Sequence, residues 1–208
     1  MKQTFGIIGG GGHAREVASY TEKSPLFFAI DDDYRDMSDP MQISLDDTPK
    51  KYLEVGVVVA IGSPLIRQLL VGKWAGDLFT TVIASNAHVD GSVVVGSGAM
   101  VAPGAVIMCG ADIGEHTIVN VAASINHDCR IGNFATISPG ARLGGNVTIG
   151  SGAFIGMGAL VRNGLNVADG VVIGMGACLV SDATEENGVY IGNPARLVRV
   201  NDGWLRNV

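Results

Sequence analysis

The chain is 208 residues long, enough for one domain or two small ones, and 47% of it is apolar, which excludes global disorder. Fourteen Lys and Arg face 20 Asp and Glu, a formal net charge of -6 with no basic cluster, so nucleic acid is not an expected partner. Glycine supplies 30 residues, about twice its ordinary share, but not at every third position, which excludes collagen. The cysteines Cys109, Cys129 and Cys178 lack CxxC spacing and read as thiols in a reducing compartment. No secretory-leader layout and no long apolar run is visible, so the expectation is a cytoplasmic protein without a membrane span.

Residues 1–82 read as a small α/β unit, βαβαβ and Rossmann-like. Strands are expected at 4–9, 26–30 and 55–61, the last nearly all apolar, as a strand buried on both faces should be. Helices are expected at 13–23 and at 63–74, where Ser63 caps and Pro64 takes the first position. Residues 79–83 form a short strand or link. Residues 31–54, rich in Asp and Pro, read as a loop with a short irregular element.

Residues 83–208 follow a different rule. From Ile83 to Leu179 every sixth residue is aliphatic, without one insertion. The residue four places on is usually small, as at Ala99, Ala123, Cys129 and Ala141, and the residue three places on is often Gly. Neither a helical nor a strand period fits, whereas a parallel β-helix does: each hexad is a short strand and a turn, and three hexads close a triangular coil. Residue n then stacks on n+18. Pro194, in the sequence YIGNPAR at 190–196, is expected to end the repeat, with 197–205 as a strand or helix covering the open end.

The opening IIGGGGHAREV, the segment IDDDYRD, the stretch NVAASINHDCRIGNFATISPGARLGGNVTIG and the closing YIGNPAR together resemble the hexapeptide-repeat sugar acyltransferases with an N-terminal nucleotide-sugar-binding domain. These are bacterial nucleotide-amino-sugar N-acetyltransferases and sialic-acid O-acetyltransferases of surface-glycan pathways. The resemblance implies a left-handed β-helix, acetyl-CoA as co-substrate and a homotrimer with CoA bound between prisms.

Three residues near one corner of the prism suit acyl transfer. His127 stands two places after inward Ile125, and an imidazole can take the proton from an attacking amine or hydroxyl. Neighbouring Asp128 can fix its tautomer, provided the backbone turns between them. Gly145, 18 residues on, leaves the corner uncovered and offers an N–H to a developing oxyanion. Taken alone, the histidine could equally be a solvated corner residue and the glycine a plain turn. The resemblance assigns the base to His127, the acid beside it to Asp128 and the amide to Gly145, and places Asn120 in the acceptor pocket. Thr136 stands where many relatives carry a second histidine.

Gly9, Gly11 and Ala14 satisfy a loose GxGxx(G/A), with Asp31 about 20 residues later, near the dinucleotide fingerprint. By resemblance Gly11, Gly12 and His13 form a phosphate loop, Asp32 and Asp33 lie near a uridine, and Arg35 supplies positive charge; otherwise these are a turn and a solvated loop. Ile155, Gly156, Ile173 and Gly174, on adjacent coils, are the expected CoA groove, with Arg196 toward the phosphates. His88 and His116 read as surface residues and Cys129 as core. No metal is expected, because no residues have ligand spacing and the consecutive His127, Asp128 and Cys129 could not share an ion without strain.

The leading expectation is therefore an acetyl-CoA-dependent N-acetyltransferase acting on a nucleotide-linked, UDP-type amino sugar by direct transfer. The rivals are an O-acetyltransferase of sialic-acid type and a non-catalytic β-helix binding protein.

Overall fold

The computed structural model describes residues 5–22 and 24–207. Thr4, at the start of the first expected strand, and Lys23, at the end of the first expected helix, lie outside the described residues. The α/β unit contains β1 (Gly6–Ile8), α1 (Gly12–Tyr20), β2 (Phe28–Ile30), β3 (Gln42–Ser44), β4 (Val57–Val59) and α2 (Pro64–Lys73). The four strands are parallel in the order β3-β2-β1-β4, so the connections leave β1 in both directions. A switch of this kind opens a crevice at the carboxyl ends of the strands. Strands β1, inside the sheet, and β4, at its end, are both fully buried. The Ser63 hydroxyl accepts the Ile66 N–H (3.3 Å), and Pro64 starts α2, as the sequence predicts.

Strand β3 corrects the expected loop over 31–54. It is three residues long and holds one aliphatic, Ile43, so it carries no hydrophobic run to read. Its buried Ser44 hydroxyl donates to Asp32 (3.1 Å), which ties it to the turn after β2.

From Val82 onward the chain is a left-handed parallel β-helix. Two-residue rungs stack with the 18-residue offset, for example Ser124↔Arg142 and Ile125↔Leu143. Every repeat aliphatic from Val101 to Leu179 is buried in one continuous core with the small residues Ala105, Ala123, Cys129, Ala141 and Ala159. The prism has three faces. One carries outward Met100, Ile118, Thr136, Phe154 and Val172; the next carries Val106, Ser124, Arg142, Leu160 and Cys178; the third carries Val94, Asp112, Arg130, Thr148 and Asn166. The α/β unit docks on the first, where Met100 and Ile118 join Phe5, Ile7, Ala14 and Val17 in a shared core.

From Gly98 to Gly176 each hexad turns through one residue at positive φ. Glycine fills that place at Gly98, Gly104, Gly110, Gly140, Gly152, Gly158, Gly164, Gly170 and Gly176. His116, Ala122, Asp128, Phe134 and Asn146 fill it in the middle of the prism, where a side chain adopts this backbone at a cost. The open end is closed by an antiparallel hairpin, Gly188–Gly192 with Ala195–Val200, and Tyr190 and Ala195 enter the prism core. The cover thus begins before residue 197, and residues 201–207 run on past it as a tail.

Candidate functional site

The left-handed turn at Asp128 (φ +60°) answers the geometric condition for a His–Asp pair between chain neighbours. It folds the carboxylate back, and Asp128 Oδ2 lies 2.8 Å from His127 Nδ1. Both side chains are well exposed, at 61% and 66%. One coil on, Gly145 lies under the ring: a Cβ there would come within 2.5 Å of His127 Cε1. The bare glycine is what lets the imidazole lie on the corner. The rung is pinned on both sides, since Asn146 N–H donates to the His127 carbonyl (2.8 Å) and Asn126 Nδ2 to the Leu143 carbonyl (2.8 Å). Cys129 is buried and its Sγ donates to the Gly144 carbonyl (3.1 Å); burial pushes its thiol up, so it is held as a core thiol rather than a nucleophile.

A groove of about 580 Å³ runs along the docked face. Its floor is Ile118, Thr136, Phe154 and Val172; the α/β unit supplies His13, Glu16 and Gly62; Asn120, Ser138 and Gly156 sit on the far corner. Asn120 and His127 occupy successive corners, separated by the Ser124–Ile125 rung. Gly156, Ile173 and Gly174 border this groove, while Ile155 points into the prism core with no exposure, as does the Ile173 side chain. Both isoleucines are inward repeat positions, and their side chains belong to the prism core. Gly156 and Gly174 are small because neighbours pass close: the Met175 backbone N and the Ile191 side chain would lie 2.6 and 2.7 Å from a Cβ. Arg196 is exposed on the terminal hairpin, away from the groove, and donates to the Ala195 carbonyl (2.9 Å).

A second cavity, about 420 Å³, opens at the switch point of the α/β sheet. Gly9, Gly10 and Gly11 line it together with Asp31, Tyr34, Asp36 and Gln42. Gly11 is exposed and has open space where a side chain would be. Gly12 and His13 have already entered α1, and His13 faces the prism groove instead; burial lowers its pKa against the opposing pull of Glu16 at 3.4 Å. The carboxylates on the cavity are Asp31 and Asp36 rather than the expected Asp32 and Asp33. Asp32 pairs with Arg35 (2.9 Å), which spends that cation locally, and Asp33 is exposed. Asp31 pairs with Lys73, which also reaches Asp46 (2.8 Å).

Two residues depart most from the reading of the sequence. His116 is buried, not surface: its ring stacks on Phe134 (5.0 Å) and meets Phe79 edge-on (4.7 Å). Burial lowers its pKa to about 4. Arg67, unremarked in the sequence, is fully buried between α2 and the prism. It donates to the carbonyls of Ile61 (2.6 Å), Gly62 (3.1 Å), His116 (2.7 Å), Phe134 (2.5 Å) and Ala135 (3.2 Å), and to Thr136 Oγ1 (3.0 Å). Thr136 thereby belongs to the joint between the two units. The only sequence signal is an Arg set among Leu65, Ile66, Leu69, Leu70 and Val71 in the helix. Among the described residues no three His, Cys, Asp or Glu side chains cluster as a metal site would require, and no helix is long and apolar enough to cross a membrane.

Comparison with known proteins matches both units. The PglD N-terminal domain family aligns with residues 5–74 and the bacterial transferase hexapeptide family with residues 128–163. No curated protein matches the chain significantly. Among solved structures, the acetyltransferase domain of PglB from Neisseria gonorrhoeae is 31% identical, with a TM-score of 0.83 over 95% of this chain and 100% of that one. PerB from Caulobacter crescentus, solved with CoA and GDP-perosamine, is 29% identical with a TM-score of 0.83 over 96% and 99%. WeeI from Acinetobacter baumannii is 25% identical with a TM-score of 0.81 over 95% and 100%. With a PglD-type α/β unit docked on a hexapeptide prism, and end-to-end likeness to the PglB domain, the chain belongs to the hexapeptide-repeat sugar acyltransferases that carry an N-terminal nucleotide-sugar-binding domain.

Proposed function

We propose that this protein transfers the acetyl group of acetyl-CoA to the amino group of a nucleotide-linked amino sugar. One observation carries the reading: a His–Asp pair seated over a bare glycine on an exposed corner of an acyltransferase prism. The PglB domain has been solved with acetyl-CoA, and PerB with CoA and GDP-perosamine, which supports both co-substrates.

In this mechanism the sugar's neutral amine attacks the thioester carbonyl while His127 Nε2 takes its proton. Asp128 accepts the Nδ1–H and steadies the imidazolium. The Gly145 N–H holds the tetrahedral oxyanion, whose collapse expels the CoA thiolate, and the thiolate recovers the proton from His127. No acyl-enzyme forms. The nucleotide occupies the switch-point cavity, with its phosphates at Gly11 and the α1 N-terminus, and the sugar extends into the groove beside His13 and Asn120.

Within one chain the groove and His127 lie on different corners. The proposed trimer brings the corner of one copy against the groove of the next. Exposed Val121, Met157 and Met175, a column on the groove corner, are the apolar surface such packing would cover. The carrier we favour is UDP, with GDP the alternative that the PerB ligand supports.

The test is thiol release from acetyl-CoA against UDP- and GDP-linked amino sugars, CMP-sialic acid and free sialic acid. Turnover with an amino sugar is the expected result. Turnover with sialic acids alone would establish O-acetylation instead, and none with any sugar would leave a binding protein.

A further inference from the structure

Gly152 and Gly170 stand one coil apart on the same corner, both at positive φ (+65° and +66°). Together they make a notch, and the Trp204 indole fills it. A Cβ on Gly152 would collide with the ring, and one on Gly170 would come 2.7 Å from Trp204 Cδ1. Below the notch the column continues through Phe134, whose ring centroid is 6.2 Å from the indole, and then His116. The tail that carries Trp204 is held on both sides of it. Asn201 N–H donates to the Asn187 carbonyl (3.0 Å), and the Leu205 carbonyl accepts from the Ser63 hydroxyl (2.8 Å). That hydroxyl also caps α2, so one side chain joins the tail to the start of a helix.

Holding a chain tail still costs about 1–2 kcal/mol per residue in backbone entropy. Closing the prism does not require it, because the hairpin already does that. Bracing α2 does not require it either, because Arg67 bolts the same helix to the prism. What the tail adds is a surface: Leu205 and Asn207 line the groove along with His13 and Asn120. We propose that residues 203–207 are a wall of the acceptor groove. Leu205 and Asn207 touch the bound sugar and help select it, and Trp204 is the positioning residue that holds them there. The proposal rests on the preceding reading that this groove takes the acceptor.

The experiment compares wild type with Trp204→Ala, Trp204→Phe and the double variant Leu205→Ala/Asn207→Ala, using the fastest amino sugar of the panel above. Trp204→Ala and the double variant should each raise the acceptor KM about tenfold, with kcat and the acetyl-CoA KM within about twofold. Trp204→Phe, which still fills the notch, should stay near wild type. The double variant alters two partly or fully exposed side chains and should keep the wild-type melting temperature. If the acceptor KM is unchanged in both the double variant and Trp204→Ala, the tail is only a brace and the proposal falls while the acetyltransferase reading stands. A wild type that transfers nothing overturns that reading, and calorimetry with the same sugars then decides the wall: binding lost in the double variant upholds it, and binding equal in both proteins, or absent from both, ends it.

Discussion

His116 and His127 stand on corners of one prism, His116 at the left-handed position of its hexad and His127 one residue before it, and their environments are opposite. His127 is exposed, paired with a carboxylate at 2.8 Å and laid over a glycine. His116 is shut between two phenylalanines, near the Arg67 cation, with its pKa lowered to about 4. The repeat decides where each imidazole is placed, and the residues one coil away decide what it can do. At His127 the stacked neighbour is Gly145, which leaves the ring open. At His116 it is Phe134, which covers the ring. A hexad prism can thus carry a reactive corner and a structural corner without altering its core.

The largest effect is expected from removing the reactive ring. His127→Ala should lower kcat/KM by about 10²–10⁴-fold, the usual worth of a general base, with an unchanged melting temperature because the side chain is exposed. Steady-state kinetics beside a thermal melt checks this; retained turnover would remove His127 from the chemistry. Gly145→Ala is the sharper form of the same contrast, since it begins to turn the open corner into a covered one. Gly145 is not in the left-handed region, so alanine strains no backbone, and the added methyl falls on the imidazole. A drop of about 10²-fold in kcat is expected, with a displaced ring visible in a crystal structure of the variant. Wild-type activity would mean that the ring works from another position.

The prism could be read from the sequence because its inward positions must be aliphatic whatever the substrate, and the His–Asp pair because a turn between them was a necessary condition that Asp128 meets. The rest depends on contacts between residues far apart in the chain. Arg67 meets the Phe134 and Ala135 carbonyls across 67 and 68 positions, and Trp204 meets Gly152 across a shorter but still long separation. No local pattern announces such partners. Ile155 and Ile173 show what the period does settle: as repeat aliphatics their side chains are committed to the core.

Arg67 is the next largest effect and tests whether the two units depend on one another. Five carbonyls and the Thr136 hydroxyl oxygen accept from it, and among the described residues no acidic side chain pairs with it. Arg67→Met keeps much of the stem volume and leaves those acceptors unmet, at a cost of about 3 kcal/mol. Denaturant unfolding should show that loss. A change below about 0.5 kcal/mol would mean that the shared apolar core of Met100, Ile118 and Val17 holds the joint alone.

The smallest effect is the pH response of His116. Burial holds His116 neutral in the folded protein, with its pKa down from 6.5 to about 4. Between those values the unfolded chain binds a proton that the folded chain does not, so stability is full above pH 6.5 and falls as pH drops toward 4. The complete loss is about 3 kcal/mol at 1.36 kcal/mol per unit. His13, whose pKa burial also lowers, adds to the loss with the same sign, whereas Asp36 and Asp90, held below their ordinary range by Ser38 and Ser92, respond only at lower pH. His116→Phe keeps an aromatic ring between Phe79 and Phe134 and gives up the two ring nitrogens, of which Nδ1 is buried without a hydrogen-bond partner among the described residues. Melting temperatures at pH 7 and pH 5 should therefore fall less with acid in the variant than in the wild type. Equal slopes in both proteins would show that the aromatic corner does not keep its histidine neutral, and the contrast between the two corners would rest on the position of Gly145 alone.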